Sequence, residues 1–282
     1  MVPPWVWQDL IRRALIEDVG AGDLTTNAIF SPESTGALLF CARQPLVSCG
    51  MAAVRETYQQ LDDRVVVSVV HNDGTMVAPG DVLARISGPS RALLTGERVA
   101  LNIVQRLSAI ATVTRQVVRD LDGLPTLLLD TRKTTPGWRT LERWATSVGG
   151  AKNHRFNLHD AVLIKDNHIA GAGGIQAAIH AVKESVGPTV HIEIEVDRLD
   201  QIEEALAAGP AGILFDNMDV DTLRTAVFMV GGRAFTEASG GIRPDMVRAI
   251  AETGVNALSL GWLTHSAQAV DIGADWEVDD GQ

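Results

Sequence analysis

The stretch 191–217, HIEIEVDRLDQIEEALAAGPAGILFDN, holds one full repeat of the pattern that decides the fold. It opens on an apolar run, His191–Val196, and closes on another, Gly212–Phe215. Between them Leu199, Ile202 and Leu206 fall at i, i+3 and i+7, one face of a helix, with Glu203 beside them. Strand, helix, strand at this spacing reads as two parallel strands joined by a helical crossover. The same pattern extends outward from this repeat. Apolar runs recur at Thr126–Leu129, Ala161–Ile164, Arg233–Thr236 and Ala257–Leu260, with helical patterns between them. Residues from Pro125 onward therefore read as six βα units. No G-x-G-x-x-G comes after the first run, so nothing supports a dinucleotide site there.

The residues at the end of each run separate a barrel from an open sheet. Asp130-Thr-Arg-Lys comes after the first, Lys165-Asp-Asn-His after the second, and Glu195 ends the third. Asp216-Asn217 ends the fourth, Glu237-Ala-Ser-Gly-Gly lies at the fifth, and Gly261 comes after the sixth. Every strand thus carries chemically capable residues at its C-terminal end. Barrels build their sites from all such ends, whereas open sheets concentrate function at one switch point. The expectation is a short barrel of six strands rather than eight.

Residues 1–108 read as a separate α+β domain. Val6–Ile16 and Met51–Gln60 carry helical patterns, and Gly36–Ala42, Val65–Val70 and Val82–Ser87 read as strands. Arg91–Leu121 is a long helical stretch with a break expected near Ser108. The predicted boundaries are 1–108 for this domain and 109–266 for the barrel, with the acidic tail 267–282 packing on the first domain. Asp73–Ile86 has the turn-rich look of a biotin or lipoyl carrier, but no lysine precedes Lys133, so it reads as ordinary β structure.

Length and composition bound the rest. At ~150 residues per domain, 282 residues suit one large or two ordinary domains. Apolar residues are 46%, ample for a core. The net charge of −11 and only 5% aromatics argue against a nucleic-acid partner. The charge is uneven, however. Residues 131–165 hold seven Lys/Arg against two acids, a local +5 that leaves −16 on the remainder. A cationic island in an acidic chain suits a small polyanion, although a solvated helix face is the plainer reading of charge alone. Two cysteines and no CxxC exclude a disulfide scaffold. The first residues lack the order of a signal peptide. The uncharged stretch Asn167–Val182 is too short and mixed to span a membrane, which takes ~20 apolar residues. The expected setting is cytoplasmic.

The segment Asp130–His168, DTRKTTPGWRTLERWATSVGGAKNHRFNLHDAVLIKDNH, resembles the quinolinate phosphoribosyltransferases, the decarboxylating enzymes also called nicotinate-nucleotide pyrophosphorylases. Further blocks match in family order: Glu193-Ile-Glu-Val-Asp, Phe215-Asp-Asn-Met, Glu237-Ala-Ser-Gly-Gly-Ile and Leu263-Thr-His-Ser. Upstream, Gly22-Asp-Leu-Thr-Thr and Gly96-Glu-Arg also match, so the resemblance covers nearly the whole chain. It implies an N-terminal α+β domain and a short six-stranded α/β barrel of the type II phosphoribosyltransferase kind.

The resemblance also implies chemistry: quinolinate and phosphoribosyl pyrophosphate give nicotinate mononucleotide, pyrophosphate and CO2. Quinolinate carries two adjacent carboxylates, which suit the planar fork of Arg and the point charge of Lys. The implied quinolinate pocket is Arg132, Lys133, His154, Arg155 and Lys165, with Arg98 reaching in from a partner in a homodimer. Thr131, Ser239, Gly240, Gly241, Leu260, Gly261 and Trp262 are implied for phosphoribosyl pyrophosphate, whose phosphates favour glycine turns and backbone N–H groups. Glu195 and Asp216 join Lys133 as the implied catalytic residues and serve Mg²⁺, directly or through water. Ordinary strand-to-helix turns explain the glycines equally well, and a salt bridge to Lys133 or Lys165 would explain the acids. Departures from the family pattern are Ala151 where a third glycine is common, Gln44-Pro45, and Trp262 in place of a small residue.

Three rival readings compete with this one. The paralogue of molybdate-transport operons shares TRKT but usually departs from Lys165-Asp-Asn-His. A Schiff-base aldolase needs a desolvated lysine, which fits poorly among so many cations. Against a phosphate-binding module without turnover, Glu195 and Asp216 together with the intact cation set favour an enzyme.

Overall fold

The computed structural model describes residues 2–277, and the chain divides into two compact units. One comprises residues 1–115, 135–150 and 266–282; the other comprises 116–134 and 151–265. Each is described within these limits.

The first unit opens with α1 (Pro4–Val19) and α2 (Leu24–Ile29), the latter capped by Asp23, whose carboxylate accepts from the Thr26 N–H at 2.9 Å. Then come β1 (Thr35–Ala42), β2 (Leu46–Val47), α3 (Met51–Leu61), β3 (Val66–Val69), β4 (Met76–Val77) and β5 (Val82–Pro89). The long helix α4 (Ser90–Asp120) begins here and crosses the boundary between the units. An antiparallel sheet runs β12–β1–β5–β3, where β12 is Ile272–Trp276 from the chain's far end. Its inward side chains, including Leu38, Phe40, Leu83 and Ile86, pack with Val54 and Tyr58 of α3 and Leu101 and Val104 of α4. Residues 278–282 of the tail expectation lie outside the described residues.

Several expectations change here. Helix α4 has no break at Ser108. The Ser108 hydroxyl instead clasps a neighbouring loop, accepting from the Cys49 N–H at 3.0 Å and donating to the Cys49 carbonyl at 3.1 Å. The boundary expected at 108/109 falls within this helix. Helix α5 (Arg139–Gly149) packs with the first unit, because Leu141 and Ala145 join the core of Trp7, Ile11 and Ile103, and Trp144 meets Trp7 edge-on at 5.7 Å. The carrier-like segment 73–86 is structural. Asp73 accepts from the N–H groups of Gly50 and Met51 at the start of α3, β4 pairs with β2, and β5 is central in the sheet.

In the second unit the six expected strands are β6 (Leu127–Leu129), β7 (Val162–Ile164), β8 (Ile192–Val196), β9 (Gly212–Asp216), β10 (Phe235–Ser239) and β11 (Ala257–Ser259). They form one parallel sheet ordered β6–β11–β10–β9–β8–β7. Between them run α6 (Asp166–Ala172), α7 (Ile175–Ser185), α8 (Asp200–Ala208), α9 (Val220–Val230) and α10 (Val247–Ala251), the last preceded by a 3-10 turn that starts at Pro244. The short α11 (Trp262–His265) comes after β11. The helices bury the stripes their periodicity specifies: Ile175, Ala178 and Ile179 in α7, Leu223, Ala226 and Val230 in α9. Among the described residues, β6 and β7 do not pair with each other. The outer edge of β6 is taken by one isolated bridge, Leu129 to Lys152.

Candidate active site

The C-terminal ends of all six strands line one cavity of about 570 Å³. Its floor and walls include Thr131, Arg132 and Lys133 after β6, Lys165 after β7, Glu195 of β8 and Asp216 of β9. Ser239, Gly240 and Gly241 come from the end of β10, Leu260, Gly261 and Trp262 from the end of β11, and His154 and Arg155 from the segment beside β6. Every residue singled out in the sequence therefore lines this cavity except Arg98. That residue lies on α4 in the first unit, 58% exposed, with Glu97 3.8 Å away. Convergence of all the strand ends is what distinguishes a barrel site from a switch-point site.

The cavity also takes in Leu163, Leu214, Glu237 and Ser259, which sequence reasoning missed. Each sits two residues before a predicted site residue: 163 before 165, 214 before 216, 237 before 239, 259 before 261. Side chains alternate across a strand, so these residues share a face with the ones already chosen. The period-2 rule, carried one step back along each strand, was the signal.

The cations and acids are already engaged with one another. Lys165 Nζ donates to Glu195 Oε2 at 2.7 Å. Asp216 is held above its ordinary pKa, first by burial and then by the charge of Glu195, while Lys165 and Lys133 pull the other way. Arg155 loses some of its hold on a proton through burial and then through the nearby Arg132. The loop carrying Lys133 is pinned at its backbone. The Lys133 N–H donates to Thr131 Oγ1 at 3.1 Å, and Thr264 Oγ1 donates to the Lys133 carbonyl at 2.7 Å. A Cβ on Gly261 would come within 2.7 Å of Lys133 Cδ, so glycine there leaves room for the lysine stem.

Gly240 and Gly241 have φ of +84° and +60°, a region L side chains rarely adopt, and a Cβ on Gly240 would run into Asn217. Asn217 is itself left-handed at φ +56°, and its N–H donates to the Ser239 carbonyl at 2.9 Å. The turns after β9 and β10 thus interlock. The Trp262 indole N–H donates to the Ile242 carbonyl at 2.9 Å, linking the turns after β10 and β11, which accounts for a large residue at that position. Ala151 does not have positive φ, so its methyl is tolerated, while Gly150 before it sits at +113°.

His154 faces two buried acids. Its Nε2 lies 3.4 Å from Glu193 and 3.4 Å from Glu237, which are only 2% and 1% exposed. Burial alone would lower its pKa, but the hydrogen bonds and charges of Glu193 and Glu237 outweigh it and lift the value to about 10. One contact opposes this: the Arg155 backbone N–H meets Nδ1 at 2.7 Å, which favours a bare Nδ1. The carboxylates at Nε2 thus favour the charged ring, while the Arg155 N–H at Nδ1 favours a neutral ring with its proton on Nε2.

A cavity that gathers cations, glycine turns and two carboxylates suits a protein class that handles anionic small molecules. Comparison with known proteins narrows the class. Residues 23–108 match the family model for the quinolinate phosphoribosyl transferase N-terminal domain, and residues 110–275 match its C-terminal domain. Over 267 residues the chain is 45% identical to a probable nicotinate-nucleotide pyrophosphorylase (carboxylating) of Bacillus subtilis, covering 94% of this chain and 92% of that one. A second relative of the same name, from a Synechocystis species, is 39% identical over 280 residues, with 95% of each chain covered. The solved nicotinate-nucleotide pyrophosphorylase of Francisella tularensis superposes with a TM-score of 0.94 at 34% identity, covering 98% of both chains. The chain belongs to the quinolinate phosphoribosyltransferase family.

Proposed function

We propose that this enzyme, a pentosyltransferase of NAD biosynthesis, transfers the phosphoribosyl group of phosphoribosyl pyrophosphate to quinolinate. The products are nicotinate mononucleotide, pyrophosphate and CO2. The observation that carries the reading is the convergence of Arg132, Lys133, Arg155 and Lys165 with Glu195 and Asp216 in one cavity at six strand ends.

The chemistry assigns roles to these residues. Arg132, Arg155, Lys165 and Lys133 pair with the two quinolinate carboxylates, and His154 lies beside them. This clamp aims the ring nitrogen at C1 of the ribose. As the bond from C1 to pyrophosphate breaks, positive charge develops on the ribose, and Glu195 and Asp216 stabilise it. The nitrogen closes the new bond to C1. The resulting pyridinium draws in the electron pair of the C2–carboxylate bond, CO2 leaves, and a proton takes its place. No protein nucleophile is required. Ser239, Gly240, Gly241, Leu260, Gly261 and Trp262 cradle the phosphates, with Thr131 at the pyrophosphate end.

Mg²⁺ fits the carboxylate pair. Glu195 and Asp216 line the same cavity, and magnesium commonly takes one or two carboxylates with waters and substrate phosphates. When bound, the ion supplies charge neutralisation for the departing pyrophosphate. We further place Arg98 over the cavity of a partner in a two-fold homodimer. Among the described residues no helix is long and apolar enough to cross a membrane, and both cysteines are free and buried. These features support a cytoplasmic setting.

Purified protein mixed with phosphoribosyl pyrophosphate, Mg²⁺ and quinolinate is expected to release pyrophosphate and form nicotinate mononucleotide. Nicotinate, lacking one carboxylate, leaves part of the cation set unpaired and is expected to be inert. Equal turnover of nicotinate would overturn the assignment.

A further inference from the structure

The segment 152–155 carries two residues of the site, His154 and Arg155, yet it has little sheet to hold it. The Lys152 N–H donates to the Leu128 carbonyl at 2.8 Å, and the Asp130 N–H donates to the Lys152 carbonyl at 3.2 Å. The backbone ladder between this segment and β6 stops there, at a single bridge. Beyond it, the partner is a side chain. The Asp130 carboxylate accepts from the His154 backbone N–H at 3.0 Å through Oδ1 and from the Asn153 side-chain amide through Oδ2. Asp130 is fully buried, at 0% exposure.

This contact occupies a strategic place in the chain. Arg132 and Lys133 lie two and three residues after Asp130. Arg155 lies one residue after the backbone N–H that Asp130 accepts. The two cation-bearing segments repel each other, since Arg132 and Arg155 are close enough for one to weaken the other's hold on its proton. Something must fix their separation before the substrate's carboxylates arrive to neutralise them. Asp130 belongs to one segment by covalent bonds and to the other by two hydrogen bonds.

We propose that Asp130 is a positioning residue for quinolinate: its buried carboxylate extends the β6 edge by clamping Asn153 and His154, and so sets the spacing between Arg132–Lys133 and His154–Arg155. The proposal rests on the quinolinate reading above. Phosphoribosyl pyrophosphate relies chiefly on the turns after β10 and β11, which this clamp does not touch; its contact nearest the clamp is Thr131, next to Asp130.

Steady-state kinetics of the wild-type enzyme come first, since their failure would overturn the functional reading and leave this one without a reaction. Asp130→Asn then keeps the shape but sets an amide donor against the Asn153 amide. A charge-assisted hydrogen bond is worth about ten- to a hundredfold, so KM for quinolinate is expected to rise by about tenfold or more. KM for phosphoribosyl pyrophosphate is expected to stay within about twofold. The exchange variant, Asp130→Asn with Asn153→Asp, restores one donor and one acceptor with their places reversed, and quinolinate KM is expected to recover most of its loss. Asn153→Ala, which leaves Asp130 intact, serves if Asp130→Asn fails to fold; it is expected to raise quinolinate KM by a smaller factor. Unchanged quinolinate KM in the folded variants overturns the proposal. So does an equal rise for both substrates with no recovery in the exchange variant, since that marks a general structural role.

Discussion

At the scale of the residue, His154 shows how burial and charge compete. Burial disfavours its charged ring, yet Glu193 and Glu237 together raise its pKa from an ordinary 6.5 to about 10. A raised histidine pKa adds stability that is full below pH 6.5 and is lost as pH climbs through 10. Ring ¹⁵N shifts of His154 are therefore expected to stay in the imidazolium range from about pH 6 to about pH 8. A titration centred near the ordinary value would show instead that the Arg155 backbone contact at Nδ1 governs the ring. Arg132 and Lys165 make a second test at this scale. Replacing either by Ala is expected to weaken quinolinate binding by about 1.5–3 kcal/mol while changing phosphoribosyl pyrophosphate binding far less. Calorimetry with each substrate checks this, and equal losses for both would contradict the division of the cavity. Three of the acids that matter around His154, namely Asp130, Glu193 and Glu237, stand within the sequence motifs but had no assigned place. Nothing local distinguishes a buried carboxylate from a solvated one when its partner lies many residues away.

At the scale of the element, the strand ends carry the chemistry and the turns give them their shape. The Gly240 turn is the most constrained. Alanine there costs about 1–2 kcal/mol for the left-handed backbone alone, and its methyl would displace Asn217 and with it the turn after β9. Gly240→Ala is expected to lower the melting temperature and to raise KM for phosphoribosyl pyrophosphate more than for quinolinate. Gly187→Ala, at a position with open space around it and no positive φ, is the control expected to do neither. Wild-type behaviour of Gly240→Ala would remove the turn from the proposed phosphate cradle. The elements themselves were largely legible. All six parallel strands sit within a few residues of their predicted runs, because an apolar run with helical patterns on either side is a local signal. The expected break in α4 was wrong for an equally local reason. A serine in a helix reads as a weak point, but Ser108 is spent on a neighbouring loop and the helix runs straight through.

At the scale of the whole molecule, the proposed homodimer makes a prediction that depends on symmetry. If Arg98 completes the partner's site, Arg98→Ala and Arg132→Ala proteins are each nearly inactive but complement one another. Random exchange of subunits gives about half heterodimer, in which one site carries both lesions and the other carries neither. Activity is then expected to recover towards about a quarter of wild type per total site. Subunit exchange verified by mass, with no recovery of activity, would show that Arg98 does not act across an interface.

The sequence by itself determined the alternation of strand and helix, the polar strand ends, the cationic island at 131–165 and the glycine turns. All of these are periodicities or compositions read within a few residues, where hydrophobic burial and backbone sterics leave a direct mark. Only the tertiary structure decided which strands are neighbours, that β6 and β7 stand at opposite ends of the strand order, and that α5, which lies between β6 and β7 in the chain, belongs to the core of the first unit. It also decided that Asp130, Glu193 and Glu237 are buried against one histidine segment. These facts depend on contacts between residues far apart in the chain. Their energies come from desolvation and charge pairing, which exist only once the strands are side by side.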